Sequence, residues 1–323
     1  MSVYNGERFL RTALDSILGQ TFRDWELIVV DDASTDSTPD ILAGYRDPRI
    51  HVLRNEKNCK QAVSSNRGIA AATGRYIARL DADDVSLPDR LTEQVAYLEK
   101  HPEVTLVASA AYFIDEAGSR IGLQPGALSD CELKFTFASR NPVIHSTVVI
   151  SAEAAKRLNG YDEDPRYWFT EDYEFLSRLA SYGKACVLPE PLVEYRVHPA
   201  SVSAIKHKEQ EFQSEAITRA VLKRAVKREV DDREWHAWGR FNWTKPGVPV
   251  RFESDEVERL SVLIPGLLRG FKHDRGGRCV LPWYWAKHAL ALAILPRGPI
   301  RVGARARFFV LALKIATLKI IFH

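Results

Sequence analysis

Apolar runs of strand length alternate with helix-like segments through the first third of the chain, and this alternation most constrains the fold. The run "WELIVVDDAS" ends in acidic residues and precedes "TPDILAGYR", whose apolar spacing is helical. The strand pattern recurs in "RIHVLRN", "RYIARLDADD" and "VTLVASAAYFI", with helical segments between them. Strands that alternate with helices form a mostly parallel sheet with helices on both faces. The sequence therefore predicts an α/β fold.

Acidic residues follow two of the predicted strands. Asp31 and Asp32 end the run "ELIVVDD", and Asp81 and Asp83 end the run "YIARLDAD". In open parallel sheets, ligands bind in the crevice beyond the carboxyl ends of the strands. We therefore expect the two acidic clusters to face one shared site.

The Asp81-Ala82-Asp83 segment permits two interpretations. On an extended backbone both carboxylates point the same way, and their oxygens suit a hard divalent cation such as Mg²⁺ or Mn²⁺. Such an ion keeps several waters and binds phosphate oxygens, which makes a diphosphate ligand its natural companion. The alternative is a hydrated turn at the end of a strand, because this spacing of two aspartates is common.

Three further segments each permit a functional and a purely structural interpretation. The acids of "VVDDASTDSTPD" could accept hydrogen bonds from a nucleobase or ribose, or the segment could only cap a helix at Ser37 or Thr38. Glu171 and Asp172 could include a general base, or could only favour a helix N-terminus. The histidine of "EYRVHPASVS", His198, could be a metal ligand or an ordinary loop residue.

Composition excludes several classes of function. The net charge is only +3, so we expect no nucleic-acid partner. The cysteines, Cys59, Cys131, Cys186 and Cys279, form no CxxC pair, which argues against a zinc cluster or a redox motif and favours a reduced cytoplasmic setting. The start "MSVYNGERFL" has neither the basic nor the apolar region of a signal peptide.

Three regions follow from the pattern: a catalytic domain over residues 1–204, a charged helical extension over 205–279, and apolar, basic segments over 280–323. The last region has no charge-free run of about 20 residues, so we do not expect it to span a membrane. Its mixture of cations, tryptophan and apolar residues fits amphipathic helices at the inner face of the cytoplasmic membrane. Packing of these helices on the protein itself is the alternative.

In combination and in order, these segments resemble the family 2 glycosyltransferases of the GT-A fold over roughly residues 1–200. The resemblance is carried by "SVYNGERFL", "ELIVVDDASTDST", "SSNRGIAAATGRYIARLDADD", "GYDEDPRYWFTEDYEFLSRL" and "YRVHPASVS". It implies an enzyme that transfers sugar from a nucleoside diphosphate donor, with inversion at the anomeric carbon and with Mn²⁺ or Mg²⁺. A UDP-sugar is the expected donor, and the acceptor is a glycan or a lipid-linked molecule of cell-surface polysaccharide assembly.

The resemblance also implies a role for each matching residue. The residues assigned to the nucleotide are Val3, Tyr4, Asn5, Glu7, Asp31, Asp32, Arg67, Asp81 and Ala82, with Asp32 ranked slightly ahead of Asp31. The metal would be held by Asp83 and His198. Asp172 would be the catalytic base, with Glu171 beside it, and Gly160, Tyr161 and His145 would lie on the acceptor side.

Two alternatives to this function stay open. A membrane-docked pseudoenzyme would bind a sugar nucleotide without turnover. A sugar nucleotidyltransferase would need a glycine-rich basic phosphate loop, and "YNGERFL" is not one.

The chain departs from the family pattern at two places. The family begins with a full apolar strand inside the sheet, of which only "MSVY" is present, so we expect an upstream start, unpaired backbone and an unfilled part of the core. The second departure is Ala33, at a position where the family has glycine more often.

Overall fold

The predicted alternation of strands and helices is confirmed. The computed structural model describes residues 1–243 and 254–270. Its strands are β1 (Ser2–Val3), β2 (Leu27–Asp31), β3 (Ile50–Arg54), β4 (Tyr76–Ala78), β5 (Val85–Ser86), β6 (Val104–Ile114), β7 (Arg120–Gln124), β8 (Val149–Ser151) and β9 (Lys184–Arg196). Its α-helices are α1 (Leu10–Leu18), α2 (Thr38–Gly44), α3 (Lys60–Ala71), α4 (Arg90–Lys100), α5 (Asp130–Phe137), α6 (Ala152–Arg157), α7 (Glu171–Tyr182), α8 (Val202–Ile205), α9 (His207–Val226), α10 (Asp232–Trp243) and α11 (Ser254–Gly270).

The strands form two sheets. The first has the order β1-β2-β3 and is parallel throughout. The second has the order β4-β8-β6-β9-β5, with β7 paired to β6. Its long central pair, β6 and β9, is parallel, and its other pairs are antiparallel. The predicted α/β fold is therefore correct, with antiparallel strands added to the second sheet.

The strand predicted over "RYIARLDADD" is shorter than expected. Strand β4 pairs with β8 only over Tyr76–Ala78, and the Arg79 N–H extends this pairing to the main-chain oxygen of Val148 (3.0 Å). The chain then turns, and the N–H of Asp84 donates to the main-chain oxygen of Asp81 (3.3 Å). The aspartates consequently lie in a turn and not on an extended strand.

Helix α1 packs on the first sheet through one apolar face. Leu10, Leu14 and Ile17 recur every three or four residues, which places them on the same side of the helix. They join a core that includes Val29 of β2 and Ile41 of α2. Burial of each such side chain stabilises the fold by about 1.5–3 kcal/mol. This packing fixes the loops that precede α1 and follow β2.

A cavity of about 570 Å³ lies beside β1. Its walls include Ile28 of β2 and Ile77 of β4, together with Met1, Ile69 and Ile150.

The chain divides into two compact units. The first comprises Met1–Asp130 and Pro142–Ser214, and the second comprises Cys131–Asn141 and Glu215–His323. Within the second unit, the buried indole of Trp238 donates a hydrogen bond to the main-chain oxygen of Ala138 (2.5 Å) and lies 5.4 Å from the ring of Phe135.

Most of the predicted helical extension over 205–279 is described, as α9, α10 and α11. The segments over 280–323, with their predicted membrane-surface helices, lie outside the described residues. Within the described part of the chain, no helix has the length and apolar character needed to cross a bilayer.

Candidate functional site

The loops that follow β1 and β2 are joined by hydrogen bonds. The backbone N–H of Asn5 donates to Oγ of Ser34 (2.9 Å), and the Asn5 side-chain oxygen accepts from the N–H of Thr35 (2.8 Å). The Glu7 carboxylate accepts from the N–H and the hydroxyl of Ser37 (3.0 and 2.7 Å). Asn5 and Glu7 therefore shape the predicted nucleotide site by holding its two loops together.

Asp31 and Asp32 have different surroundings although both are buried. Both carboxylate oxygens of Asp32 accept hydrogen bonds: Oδ1 from the Cys59 N–H (2.8 Å) and Oδ2 from the Lys60 N–H (2.9 Å). Asp31 accepts one bond, from the N–H of Ser34 (2.9 Å), and its other oxygen has no hydrogen-bond partner among the described residues. Asp32 thus anchors the start of α3, whereas one carboxylate oxygen of Asp31 accepts no hydrogen bond from the described residues.

Two arginines border this pair of acids. The guanidinium of Arg54 lies 3.4 Å from the second oxygen of Asp31. Arg67 donates to the main-chain oxygen of Arg54 (2.7 Å) and to the side chain of Asn55 (2.6 Å). The predicted basic residue, Arg67, is therefore linked to Asp31 through Arg54.

Three other residues predicted at the nucleotide differ in exposure. Val3 is buried in the core of the first sheet, so its side chain faces away from solvent. Tyr4 is half-exposed, and Ala82 is partly buried against the same core.

Asp81 is held by residues that sequence reasoning missed. Its Oδ1 forms an ion pair with Arg79 (2.5 Å), whose side chain is only 8% exposed. Its Oδ2 accepts a hydrogen bond from the hydroxyl of Ser146 (3.1 Å). The one available signal for Arg79 was a charged residue within the apolar run "YIARL".

Asp83 lies against the loop that follows β9. The Nε2 atom of His198 is 3.0 Å from Oδ2 of Asp83, and 34% of the Asp83 side chain is exposed. The structure therefore brings together the two residues predicted to hold a metal.

Glu171 and Asp172 begin helix α7, as the capping interpretation predicted. Burial, followed by the charge of Asp172, raises the pKa of Glu171 to about 8. Burial, with a further contribution from the charge of Asp81, raises the pKa of Asp172 to about 6. Burial and Asp81 also raise the pKa of the Asp83 carboxyl. Asp81 is therefore near enough to act on both the Asp83 and the Asp172 carboxyls.

The predicted acceptor-side residues are in mutual contact. Gly160 has a φ of +64°, and a Cβ atom there would lie 2.2 Å from the side-chain oxygen of Asn66. That oxygen accepts from the Tyr161 N–H (2.7 Å), and the Tyr161 hydroxyl lies 2.6 Å from Nε2 of His145. Burial and the charge of Arg79 lower the pKa of His145 to about 3, so its ring is neutral. Glycine is required here by both the left-handed backbone and the close approach of Asn66.

The donor set fits a divalent cation that also binds a ligand. Among residues 1–243 and 254–270, no group of three or more His, Cys, Asp or Glu side chains is arranged to hold a metal. Asp83 and His198 supply one oxygen and one nitrogen donor, and Mn²⁺ accepts both types. Such cations commonly complete their coordination with water and substrate phosphates.

The family model described as "Glycosyl transferase family 2" matches residues 1–152. A Bacillus subtilis protein provisionally named glycosyltransferase EpsE is 39% identical over 57% of this chain, an alignment that spans 66% of EpsE. A second B. subtilis protein, provisionally named the teichuronic acid biosynthesis glycosyltransferase TuaG, is 33% identical over 64% of this chain, an alignment that spans 80% of TuaG.

Solved structures share the fold. S. aureus TarS in complex with UDP-GlcNAc has a TM-score of 0.58 at 16% identity, covering 98% of this chain and 90% of that one. The mannosyltransferase PcManGT from Pyrobaculum calidifontis, in complex with GDP-Man and Mn²⁺, has a TM-score of 0.54 at 17% identity. The match covers 98% of this chain and 85% of PcManGT.

Proposed function

The chain belongs to glycosyl transferase family 2 and is a glycosyltransferase, and from this premise we propose a metal-dependent, inverting reaction. A sugar moves from a nucleoside diphosphate donor to a hydroxyl of a glycan or a lipid-linked acceptor. The observation that carries this proposal is that the charge of Asp81 affects two neighbouring carboxyl groups. Its charge acts on Asp83, beside His198, and on Asp172 at the start of α7. This supports a single site that contains the proposed metal ligands and the proposed base.

Asp83 and His198 would hold Mn²⁺ or Mg²⁺. A bound divalent cation would neutralise the negative charge that builds on the diphosphate as it leaves. Asp81 would stay on the ribose side, oriented by Arg79 and Ser146.

Asp172 is the stronger candidate for the base within the Glu171–Asp172 pair. A pKa of about 6 leaves Asp172 ionised at neutral pH, while a pKa of about 8 keeps Glu171 protonated. A base with a pKa close to the working pH transfers protons most effectively. Asp172 takes the proton of the acceptor hydroxyl, whose oxygen bonds to the anomeric carbon as the carbon–oxygen bond to the diphosphate breaks. Attack from the face opposite the leaving group gives inversion.

The donor is proposed to be a UDP-sugar. Complexes of TarS with UDP-GlcNAc and of PcManGT with GDP-Man support nucleoside diphosphate sugars as a class, and leave the base to be decided by measurement. Asp31, whose second oxygen has no hydrogen bond within the described part of the chain and lies 3.4 Å from the Arg54 guanidinium, is the residue that we assign to the nucleobase, and Asp32 acts by holding α3 in place.

The acceptor is proposed to be a growing polysaccharide or its lipid carrier. The name of TuaG, which refers to teichuronic acid biosynthesis, supports a cell-surface glycan. Peripheral association of residues 280–323 with the cytoplasmic membrane would bring the enzyme to such an acceptor. Removal of these residues should release the protein from anionic vesicles in a sedimentation assay, and unchanged sedimentation would contradict the association.

Calorimetric titration of UDP, dTDP and GDP, each with and without Mn²⁺, tests the central proposal. We expect tight, Mn²⁺-dependent binding of one nucleotide, which would also identify the donor class. An absence of binding for all three would contradict the proposed site. Binding without any release of nucleotide from a panel of sugar donors would instead identify a pseudoenzyme.

A further inference from the structure

Arg196, the last residue of β9, connects that strand to the turn that carries Asp83. It is buried, with 4% of its surface exposed. Its backbone N–H donates to Oδ1 of Asp84 (2.8 Å), and its Nε–H donates to the main-chain oxygen of Asp83 (2.8 Å). The main chain and the side chain of Arg196 thus form hydrogen bonds with two consecutive residues of the turn.

The same guanidinium also binds a third segment. Its Nη1 donates to the main-chain oxygens of Asp115 and Glu116 (2.9 and 3.2 Å), which follow β6. Its Cζ atom lies 4.4 Å from the centre of the Phe9 ring, and the centre of that ring lies 5.4 Å from the centre of the His198 ring. A planar guanidinium with donors in several directions can make these contacts together, whereas a lysine ammonium cannot.

The hydrogen bonds of Arg196 do not use the side-chain atoms of Asp83 and His198 that are proposed to bind the metal. Its bonds to the turn use the main-chain oxygen of Asp83 and the carboxylate of Asp84, while Oδ2 of Asp83 faces His198. Because His198 lies two residues beyond Arg196, the same contacts fix the start of its loop and the turn of Asp83.

We propose that Arg196 is a positioning residue that fixes the separation of Asp83 and His198 for a divalent cation bound with a nucleoside diphosphate. The inference rests on the proposed function. Residues that orient metal ligands typically contribute about 10- to 100-fold to metal affinity. A buried arginine that served only stability would affect unfolding and leave the metal dependence of the folded protein unchanged.

The test compares Arg196→Lys with Arg49→Lys in calorimetric titrations of UDP, dTDP and GDP across a range of Mn²⁺ concentrations. Arg49 is a control for the loss of a guanidinium elsewhere in the fold, because it stacks on Trp25 at 3.6 Å and donates to Asp47. For Arg196→Lys we expect the half-saturating Mn²⁺ concentration to rise about 10- to 100-fold, with metal-free nucleotide binding within about twofold of wild type. Arg49→Lys should have the wild-type half-saturating Mn²⁺ concentration and the wild-type metal-free nucleotide binding.

A wild-type Mn²⁺ dependence in folded Arg196→Lys would overturn the inference. If that variant does not fold, Phe9→Leu provides the same test, since it removes the ring that touches both Arg196 and His198. It should shift the Mn²⁺ dependence in the same direction, and an unchanged dependence would again overturn the inference. Failure of the wild-type protein to bind UDP, dTDP or GDP with Mn²⁺ would contradict the proposed function itself.

Discussion

His198 Nε2 lies 3.0 Å from Asp83 Oδ2, although 115 residues separate the two in the chain. One residue follows β4 and the other follows β9, in the same sheet. Their contact therefore depends on the sheet between them, and the site that they form is sensitive to changes in either loop.

Substitution of Asp83 by asparagine should weaken Mn²⁺-dependent nucleotide binding by at least about tenfold, because a charged oxygen ligand becomes a neutral one. Nucleotide binding in the absence of metal should change little. Calorimetric titration with and without Mn²⁺ measures both. Asp89→Asn is the control, since Asp89 is exposed in the same segment and its carboxylate accepts a hydrogen bond from the hydroxyl of Thr21 (2.9 Å). An unchanged Mn²⁺ effect in Asp83→Asn would remove Asp83 from the metal site.

Asp172→Asn should retain donor binding and lose transfer by about 10²- to 10⁴-fold, the usual contribution of a general base. Glu171→Gln is the matched comparison, and it should lose much less activity because Glu171 is protonated near neutral pH. Release of nucleoside diphosphate in the presence of acceptor measures the rate. Normal turnover by Asp172→Asn would rule out its role as the base.

The rate should also depend on pH through Asp172. With a pKa of about 6, this carboxyl becomes protonated as the pH falls below that value and can no longer accept a proton. We expect kcat/KM to fall about tenfold per pH unit below the pKa. A pH profile of initial rates checks this, and a rate that is constant between about pH 5 and pH 7 would contradict the assignment.

Glu171 should make the stability of the protein depend on pH in the opposite sense to a carboxylate whose pKa is lowered by folding. Its pKa is about 8 in the folded protein against an ordinary value of 4.5, so between these values the folded state binds a proton that the unfolded state has released. Its contribution to stability is fully present below the unfolded pKa and is lost as the pH rises through the folded pKa. Urea unfolding at several pH values should therefore show this loss in the wild type and a weaker one in Glu171→Gln. Parallel curves for the two proteins would contradict the raised pKa.

Ala33→Gly should stabilise the fold. Ala33 has a φ of +63°, a left-handed conformation that costs a residue with a Cβ roughly 1–2 kcal/mol. This strain exceeds the roughly 0.4–1 kcal/mol that glycine adds to the entropy of the unfolded chain. Thermal unfolding should show a net gain on the order of 0.5–1 kcal/mol. Ala43→Gly, at an exposed position of α2, is the control and should cost about 1 kcal/mol. Destabilisation by Ala33→Gly would show that the methyl group has contacts that outweigh the strain.

The sequence determined the elements and the candidate chemistry. Period-two and helical hydrophobic patterns depend on neighbours in the chain, so β2, β3, α3, α4 and β6 could be predicted from local residues. The order of the acidic segments identified the family, and the rule that ligands bind beyond strand ends placed them in one region.

Only the tertiary structure decided how each aspartate is used. Asp81 pairs with Arg79 and Ser146, Asp83 with His198, and Asp84 with the backbone of Arg196. Most of these partners come from β8, β9 and the segments beside them, far along the chain. The sequence shows that a residue has a carboxylate, but it does not show which groups that carboxylate contacts. These contacts depend on which distant loops the packed sheets bring within hydrogen-bonding distance. The same reason explains why Asp32, ranked first from the sequence, has both oxygens bound at the start of α3, while the second oxygen of Asp31 faces the Arg54 guanidinium.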